Sequence, residues 1–465
     1  MKSTEEIIRR AASVVPTERQ IALNCMEFYG FVHFGLYTFD ASREFKQEAE
    51  IFNPTHFDAR QWVRAFKDAG MTGLILTCKH HEGFCLWPSK YTDFSVKSSP
   101  WKDGKGDIVK EVADACREEN LKFGVYLSPW DVHEKTYGTP EYNEYFKNQL
   151  RELCSDYGEL FCVWFDGACR SREKVQEYDW DGFYKIIREL QPNACISICG
   201  PDVRWIGNEA GVSREEEWSV VPNCIMMTER NPGYWRQIDK IPNSTWKDIG
   251  SREFIKDYDE LMWYPAEVDV SIRPSWGYIE GEKDKLHSLE ELMNMYEKAV
   301  GGNATLLLNV PPNKEGIFDQ EDVRRLREMG MATKKLFSNP QTGGARALGI
   351  SGGNADAVLN KKRDEYFEIS GIDNGITVFL AGQRTIDFIS LKETIEKGQI
   401  IESFMIEVGE GEGWKEVFRA STVGYQRFCR FKAVRTNRVR IRVLKSRGIS
   451  RLTEIGIYLT ESVLF

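Results

Sequence analysis

An irregular (β/α)8 barrel followed by a C-terminal β-sandwich is the fold that this sequence predicts, on three observations. Between residues 28 and 312, short apolar runs alternate with helix-length amphipathic segments, the rhythm of a parallel sheet with crossover helices. Most of the runs lack polar alternation, as strands covered on both faces require. Beyond about residue 340 the pattern changes to short alternating runs separated by Gly, Asn and charged turns, which suits an antiparallel sandwich.

The strands expected in the first region are FYGFVHFGLY (28–37), GLILTCKHH (73–81), LKFGVYLSPW (121–130), LFCVWFDG (160–167), ACISICG (194–200), LMWYPAEVDVS (261–271) and ATLLLNVPP (304–312). Helices are expected between several of them. THFDARQWVRAFKDAG opens on a Thr-x-x-Asp cap signal and stops at Gly70, DIVKEVADACREEN begins on Asp107, and SLEELMNMYEKAV begins on Ser288 and stops at Gly301 and Gly302. Residues 201–260 break the rhythm and read as long loops. At 465 residues the chain is too long for one ordinary core, so it divides into a barrel over 1–338 and a sandwich over 339–465.

Composition narrows the function. With 42% hydrophobic and 29% charged residues and a net charge of −9, the chain is unsuited to nucleic acid or an anionic membrane and suits a neutral or weakly polar ligand. Several of the 11 cysteines sit inside strand-like runs, as free thiols do, which points to a reducing compartment. The first 20 residues lack a signal-peptide apolar stretch and no run is long enough to span a bilayer, so a cytoplasmic location is expected.

If the first region is a barrel, its chemistry sits at the strand ends. Reading along them gives His33, then Lys79, His80 and His81, then Trp130 and Asp131, then Asp166, Asp202, Arg204, Glu267 and Asp269. Asp166 ends a run of six uncharged residues, a costly place for a carboxylate unless it is paired or used; a helix cap or a barrel arginine is the plainer reading. His80 and His81, as neighbours on a strand, would face opposite sides and could not share a metal without a bend. His33 has a plainer reading as a satisfied core histidine. The 13 tryptophans and 18 tyrosines favour a sugar ligand, whose apolar faces stack on rings while its hydroxyls need polar partners.

Five strings, HFGLYTF, LTCKHHEGFCLWPSKYTDFSV, YLSPWD, VWFDGA and LLLNVPPNKEG, in this order and spacing, resemble those of the α-L-fucosidases of glycoside hydrolase family 29. The resemblance covers about residues 20–320 and implies a retaining exo-hydrolase that removes terminal α-L-fucose through a covalent glycosyl-enzyme. Such chemistry needs two carboxyl groups about 5–5.5 Å apart. Asp166 matches the family's nucleophile. The acid/base lies in its variable loops, where Glu209, Glu215, Glu216 and Glu217 crowd together. RWIGNEAG resembles the branch selective for α-1,3 and α-1,4 linked fucose and assigns the acid/base to Glu209, with Glu217 in reserve; broad specificity that includes α-1,2 and aryl fucosides is the alternative.

By motif, His33, His80 and His81 match the fucose-hydroxyl readers, with Tyr126 and Trp87 beside them and Arg204 as a further donor. Trp276 matches the aromatic against the sugar's C5 methyl. Glu44 resembles a loop glutamate that hydrogen-bonds the sugar, although Phe45 replaces the tryptophan that often follows it. No cofactor or metal is expected, and the partner is a fucosylated glycan. A catalytically silent fucose binder, or a metal-dependent hydrolase using His80, His81 and Asp131, are the readings from other classes.

Overall fold

The computed structural model describes residues 3–40, 48–168, 175–230 and 238–460. Eight parallel strands form the first sheet: β1 (Phe28–Val32), β2 (Gly73–Lys79), β3 (Lys122–Leu127), β4 (Cys162–Phe165), β5 (Cys195–Ile198), β6 (Arg204–Trp205), β9 (Ala266–Ser271) and β10 (Ala304–Asn309). Their order is β5-β4-β3-β2-β1-β10-β9-β6, and a bridge between Ser197 and Val203 draws the two edge strands together into a nearly closed barrel. All but one of these strands' residues, apart from Trp205, are buried, the exception being Lys122 at the start of β3.

Crossover helices cover the outside. Ala59–Asp68 is capped by Asp58, Ile108–Glu118 by Asp107, Trp180–Leu190 by Asp179, and Leu289–Ala299 by a Ser288–Glu291 capping box. Asp107 and Ser288 start their helices as the sequence predicts, whereas Asp58 caps where Thr55 is expected to begin the signal. The barrel is irregular because β5 and β6 lie only five residues apart with no helix between them.

Two strand expectations change. FYGFVHFGLY stays extended only to Val32, and Leu36–Phe39 forms a helical turn. LMWYPAEVDVS splits at Pro265, which cannot donate to a ladder. Its first part, β8 (Leu261–Trp263), pairs antiparallel with β7 (Val220–Pro222) outside the barrel, and only β9 enters it. Residues 201–260, expected as loops, thus hold β6, β7 and two short helices, Cys224–Glu229 and Arg252–Ile255.

The C-terminal sheet is antiparallel and seven-stranded, with β11 (Arg346–Gly349), β12 (Phe367–Ile369), β13 (Asn374–Glu393), β14 (Ile401–Glu410), β15 (Gly413–Ala420), β16 (Arg427–Ser446) and β17 (Ser450–Tyr458). The 20-residue strands β13 and β16 run through both halves. They pair with each other along both halves, the first part of β13 also pairs with β11 and its second part with β17, the last part of β16 also pairs with β14, and register shifts after Phe379 and Ile386 mark the change. A separate apolar core fills this region, while Phe388, Phe428 and Tyr458 join the barrel's core instead, beside Tyr296 and Phe337. Among the described residues no helix is long and apolar enough to cross a membrane.

The barrel interior is filled by Tyr29, Phe31, Ile75, Trp164 and Leu307. Among them sits Glu267, fully buried, accepting from the Trp164 indole at 2.7 Å and from the Tyr29 hydroxyl. Burial pushes its carboxyl up to about 7, against the two hydrogen bonds. The folded state therefore holds this proton after the unfolded chain has released it, and stability falls as pH rises from about 4.5 to about 7. The loss attributable to Glu267 should reach at most about 3 kcal/mol. Thermal unfolding of Glu267→Gln across this range should show a shallower decline than the parent; parallel curves would mean that Glu267 is ionised in the fold.

Candidate active site

A cavity of about 510 Å³ opens at the C-terminal ends of the barrel strands. Asp166, the first residue after β4, stands at its edge with about a fifth of its side chain exposed. One carboxylate oxygen accepts from the Ala168 backbone N–H at 2.7 Å and the other from the Tyr126 hydroxyl at 2.8 Å. A helix cap would need a helix here, and none begins in the described residues directly after it; a barrel arginine would need to reach it, and its partners among the described residues are a tyrosine, a backbone amide and a histidine. His81 Nε2 lies 3.6 Å from the oxygen that Tyr126 contacts.

The three histidines are oriented by what holds Nδ1. Asn309 donates its amide to Ser271 Oγ and to the Trp276 carbonyl, so its oxygen faces His33 and accepts from both the His33 backbone and Nδ1, the latter at 2.9 Å. His33 Nδ1 therefore carries the proton, and Nε2 presents a lone pair. Burial first, and then the His80 charge, lower the His33 ring to about 3, so it stays neutral and can only accept from a ligand hydroxyl. Ser128 donates to the Trp130 carbonyl and so must accept from His81 Nδ1, at 2.7 Å. His80 Nδ1 lies 3.2 Å from the buried Glu82 carboxylate. Both His80 and His81 line the cavity because β2 ends at Lys79 after a register shift, so the alternation that would separate them no longer applies.

Glu209, on the loop after β6, also lines the cavity, accepts from the Trp276 indole at 2.9 Å and is otherwise exposed. Trp276 leans over His33, ring centroids 5.1 Å apart. A cavity lined by carboxylates, ring faces and lone-pair acceptors can hold a hydroxylated ring and act on it.

A sequence profile of the α-L-fucosidase family matches residues 25–335. The chain belongs to the α-L-fucosidases, glycoside hydrolase family 29. The Arabidopsis thaliana α-L-fucosidase 1 is 38% identical, over 96% of this chain and 88% of that protein. A Ruminococcus gnavus family 29 fucosidase, solved in complex with fucose, is 30% identical with a TM-score of 0.85, covering 97% of this chain and 96% of its own. A candidate α-L-fucosidase of Bacteroides ovatus is 40% identical with a TM-score of 0.90, covering 99% of this chain and 76% of its own.

Of the residues that the sequence assigns to this fucosidase-family site, the structure gathers Asp166, Glu209, His33, His80, His81, Tyr126 and Trp276 around the cavity. Glu44 lies outside the described residues. Three do not reach the cavity. Trp87 is buried in the core, its indole donating to Glu152 at 2.9 Å. Arg204 turns away because β6 alternates: Val203 and Trp205 pack with the barrel interior, and Arg204 between them faces outward to Glu217 and the Tyr264 and Trp218 carbonyls. Glu217 is fully buried between Arg204 and Arg214, which leaves it no access to a substrate. Glu215 and Glu216 are exposed.

Further strand-end polar residues also prove structural. Lys79 pairs with Asp131 at 2.7 Å, so Asp131 is not available to a metal beside His80 and His81, and Asp202 is held by Arg19 and Arg188. The cavity has members that the motifs do not single out. Asp269 accepts from the Trp205 indole at 2.8 Å, and burial, then the charges of Glu267 and Glu209, push its carboxyl above the usual range. Glu229, at the end of helix Cys224–Glu229, is pushed by burial up to about 7. Asp269 carries a readable signal, its two-residue spacing from Glu267 on β9; Glu229, in a segment without strand periodicity, carries none. Nitrogen-15 spectra should show His33 as the neutral Nδ1–H tautomer from pH 4.5 to 8; an imidazolium signal at pH 5 would contradict the Asn309 arrangement.

Proposed function

We propose that the protein is a retaining exo-α-L-fucosidase in which Asp166 is the nucleophile and Glu209 the acid/base. The observation that carries this reading is the placement of Asp166 and Glu209 on one cavity that also holds the three oriented histidines. The donors from Tyr126 and Ala168 offset the lost hydration of the Asp166 carboxylate and hold it for attack on the anomeric carbon. Glu209 protonates the departing glycosidic oxygen and then deprotonates the water that cleaves the glycosyl-enzyme. His33 and His80 accept sugar hydroxyls through Nε2, and Trp276 covers the C5 methyl while its indole holds Glu209. The Gly207-Asn208-Glu209 sequence supports α-1,3 and α-1,4 linkages on branched glycans as the preferred substrates.

Asp166→Ala should lower turnover of an aryl α-L-fucoside by about 10³-fold or more. Azide should restore it with formation of β-fucosyl azide. Proton NMR of the parent reaction should show α-fucose appearing first; β-fucose first would establish inversion and exclude the covalent route. An α-1,3/1,4-fucosylated trisaccharide should be cleaved faster than an α-1,2-fucosylated one, equal rates would indicate broad specificity, and no release from any substrate would leave a fucose-binding protein.

A further inference from the structure

We propose that the buried cluster of Arg204, Glu217 and Arg214, pinned from the C-terminal region by Gln399 and Arg427, is a positioning device for the loop that carries Glu209. The proposal rests on Glu209 being the acid/base. Arg204 at the loop's start and Glu217 beyond its end are joined by an ion pair, both fully buried, and Arg214 closes on the other Glu217 oxygen at 3.0 Å. The cluster thus ties a closed loop with Glu209 on its span. Arg214 also donates to the Trp246 carbonyl at 2.9 Å and to that of Ser244.

Within the loop little freedom is left. Gly207 has φ +105°, and a Cβ there would lie 2.2 Å from the Ser244 carbonyl oxygen, so only glycine lets the chain pass. Asn208 follows, its side-chain oxygen accepting from the N–H groups of Ala210 and Val212 and its amide donating to the Val212 carbonyl. These bonds wrap the backbone around Glu209 on both sides.

The far end of the loop is held from the C-terminal sheet. Gln399, fully buried in the connection between β13 and β14, donates to the Glu217 carbonyl at 3.1 Å and accepts from the Ser219 N–H at 2.7 Å. Asn303 of the barrel donates to the same Glu217 carbonyl and accepts from the Tyr425 N–H. Arg427, at the start of β16, donates to the Glu215 carbonyl at 2.8 Å. Two guanidinium groups and one carboxylate buried together gain little stability over an apolar cluster but define one register, which is what a loop bearing a proton donor needs.

A displaced acid has a distinctive kinetic consequence. A poor leaving group must be protonated as it departs, whereas an activated aryloxide need not be, and misplacement by about 1 Å can cost about 100-fold in rate. A merely structural defect lowers both substrates alike.

The test compares kcat/KM on a fucosylated trisaccharide and on 2-chloro-4-nitrophenyl α-L-fucoside for the parent, Gln399→Ala, Arg427→Gln and Glu209→Gln. Gln399→Ala should lose about 10-fold or more on the trisaccharide and less than about 2-fold on the aryl fucoside, with Arg427→Gln showing a smaller split of the same kind. Glu209→Gln should show the largest split. If Glu209→Gln loses both substrates equally, the acid/base reading fails. If Glu209→Gln splits them while folded Gln399→Ala and Arg427→Gln leave the ratio unchanged, the positioning role is overturned. Should Gln399→Ala fail to fold by circular dichroism, Arg427→Gln alone decides.

Discussion

Two hydrogen bonds to Asp166, from the Tyr126 hydroxyl and the Ala168 backbone, are the interactions on which the site depends. They are possible only because β3 and β4 are adjacent and parallel, with Tyr126 opposite Trp164, so that the tyrosine on one strand reaches the residue that follows the other. The apolar run before Asp166 makes β4 a strand buried throughout, and that burial fixes where the carboxylate emerges. A charge on a mobile loop could not be held so closely in one place.

Around this carboxylate the barrel distributes others by environment. Glu267 lies below in the apolar interior, and Asp269, two residues on along β9, borders the cavity under the influence of both Glu267 and Glu209. Glu229 borders it from a short helix, also with its carboxyl raised by burial. Tyr29, Trp164, Trp205 and Trp276 each donate to one of these acids, so aromatic rings serve both as walls and as polar anchors. Burial thus favours the neutral forms of these acids, which limits the negative charge gathered at the cavity.

Most of the fold was readable because it rests on local patterning. Apolar runs without alternation marked β2, β3, β4 and β10, and Asp107 and Ser288 marked helix starts, since both signals act over a few residues. The split at Pro265 and the strand pair β7–β8 escaped because segments of three residues give no periodicity. Within the site, Asp166, Glu209 and the histidines were readable through family-like strings. Arg204 and Glu217 were misplaced because a charged side chain near a strand end has the same appearance whether it faces the cavity or pairs behind the sheet; burial of both decided it.

By itself the sequence determined the alternation of strands and helices, the change to an antiparallel region and the carboxylate at the end of an apolar strand, because each follows from the chemistry of neighbouring residues. Only the tertiary structure decided which polar groups share the cavity. Asn309 sets the His33 tautomer from 276 residues away, Trp276 meets Glu209 across 67, and Gln399 reaches Glu217 across 182. Such contacts depend on how the barrel closes and where the C-terminal sheet packs, and no local pattern in the chain encodes them.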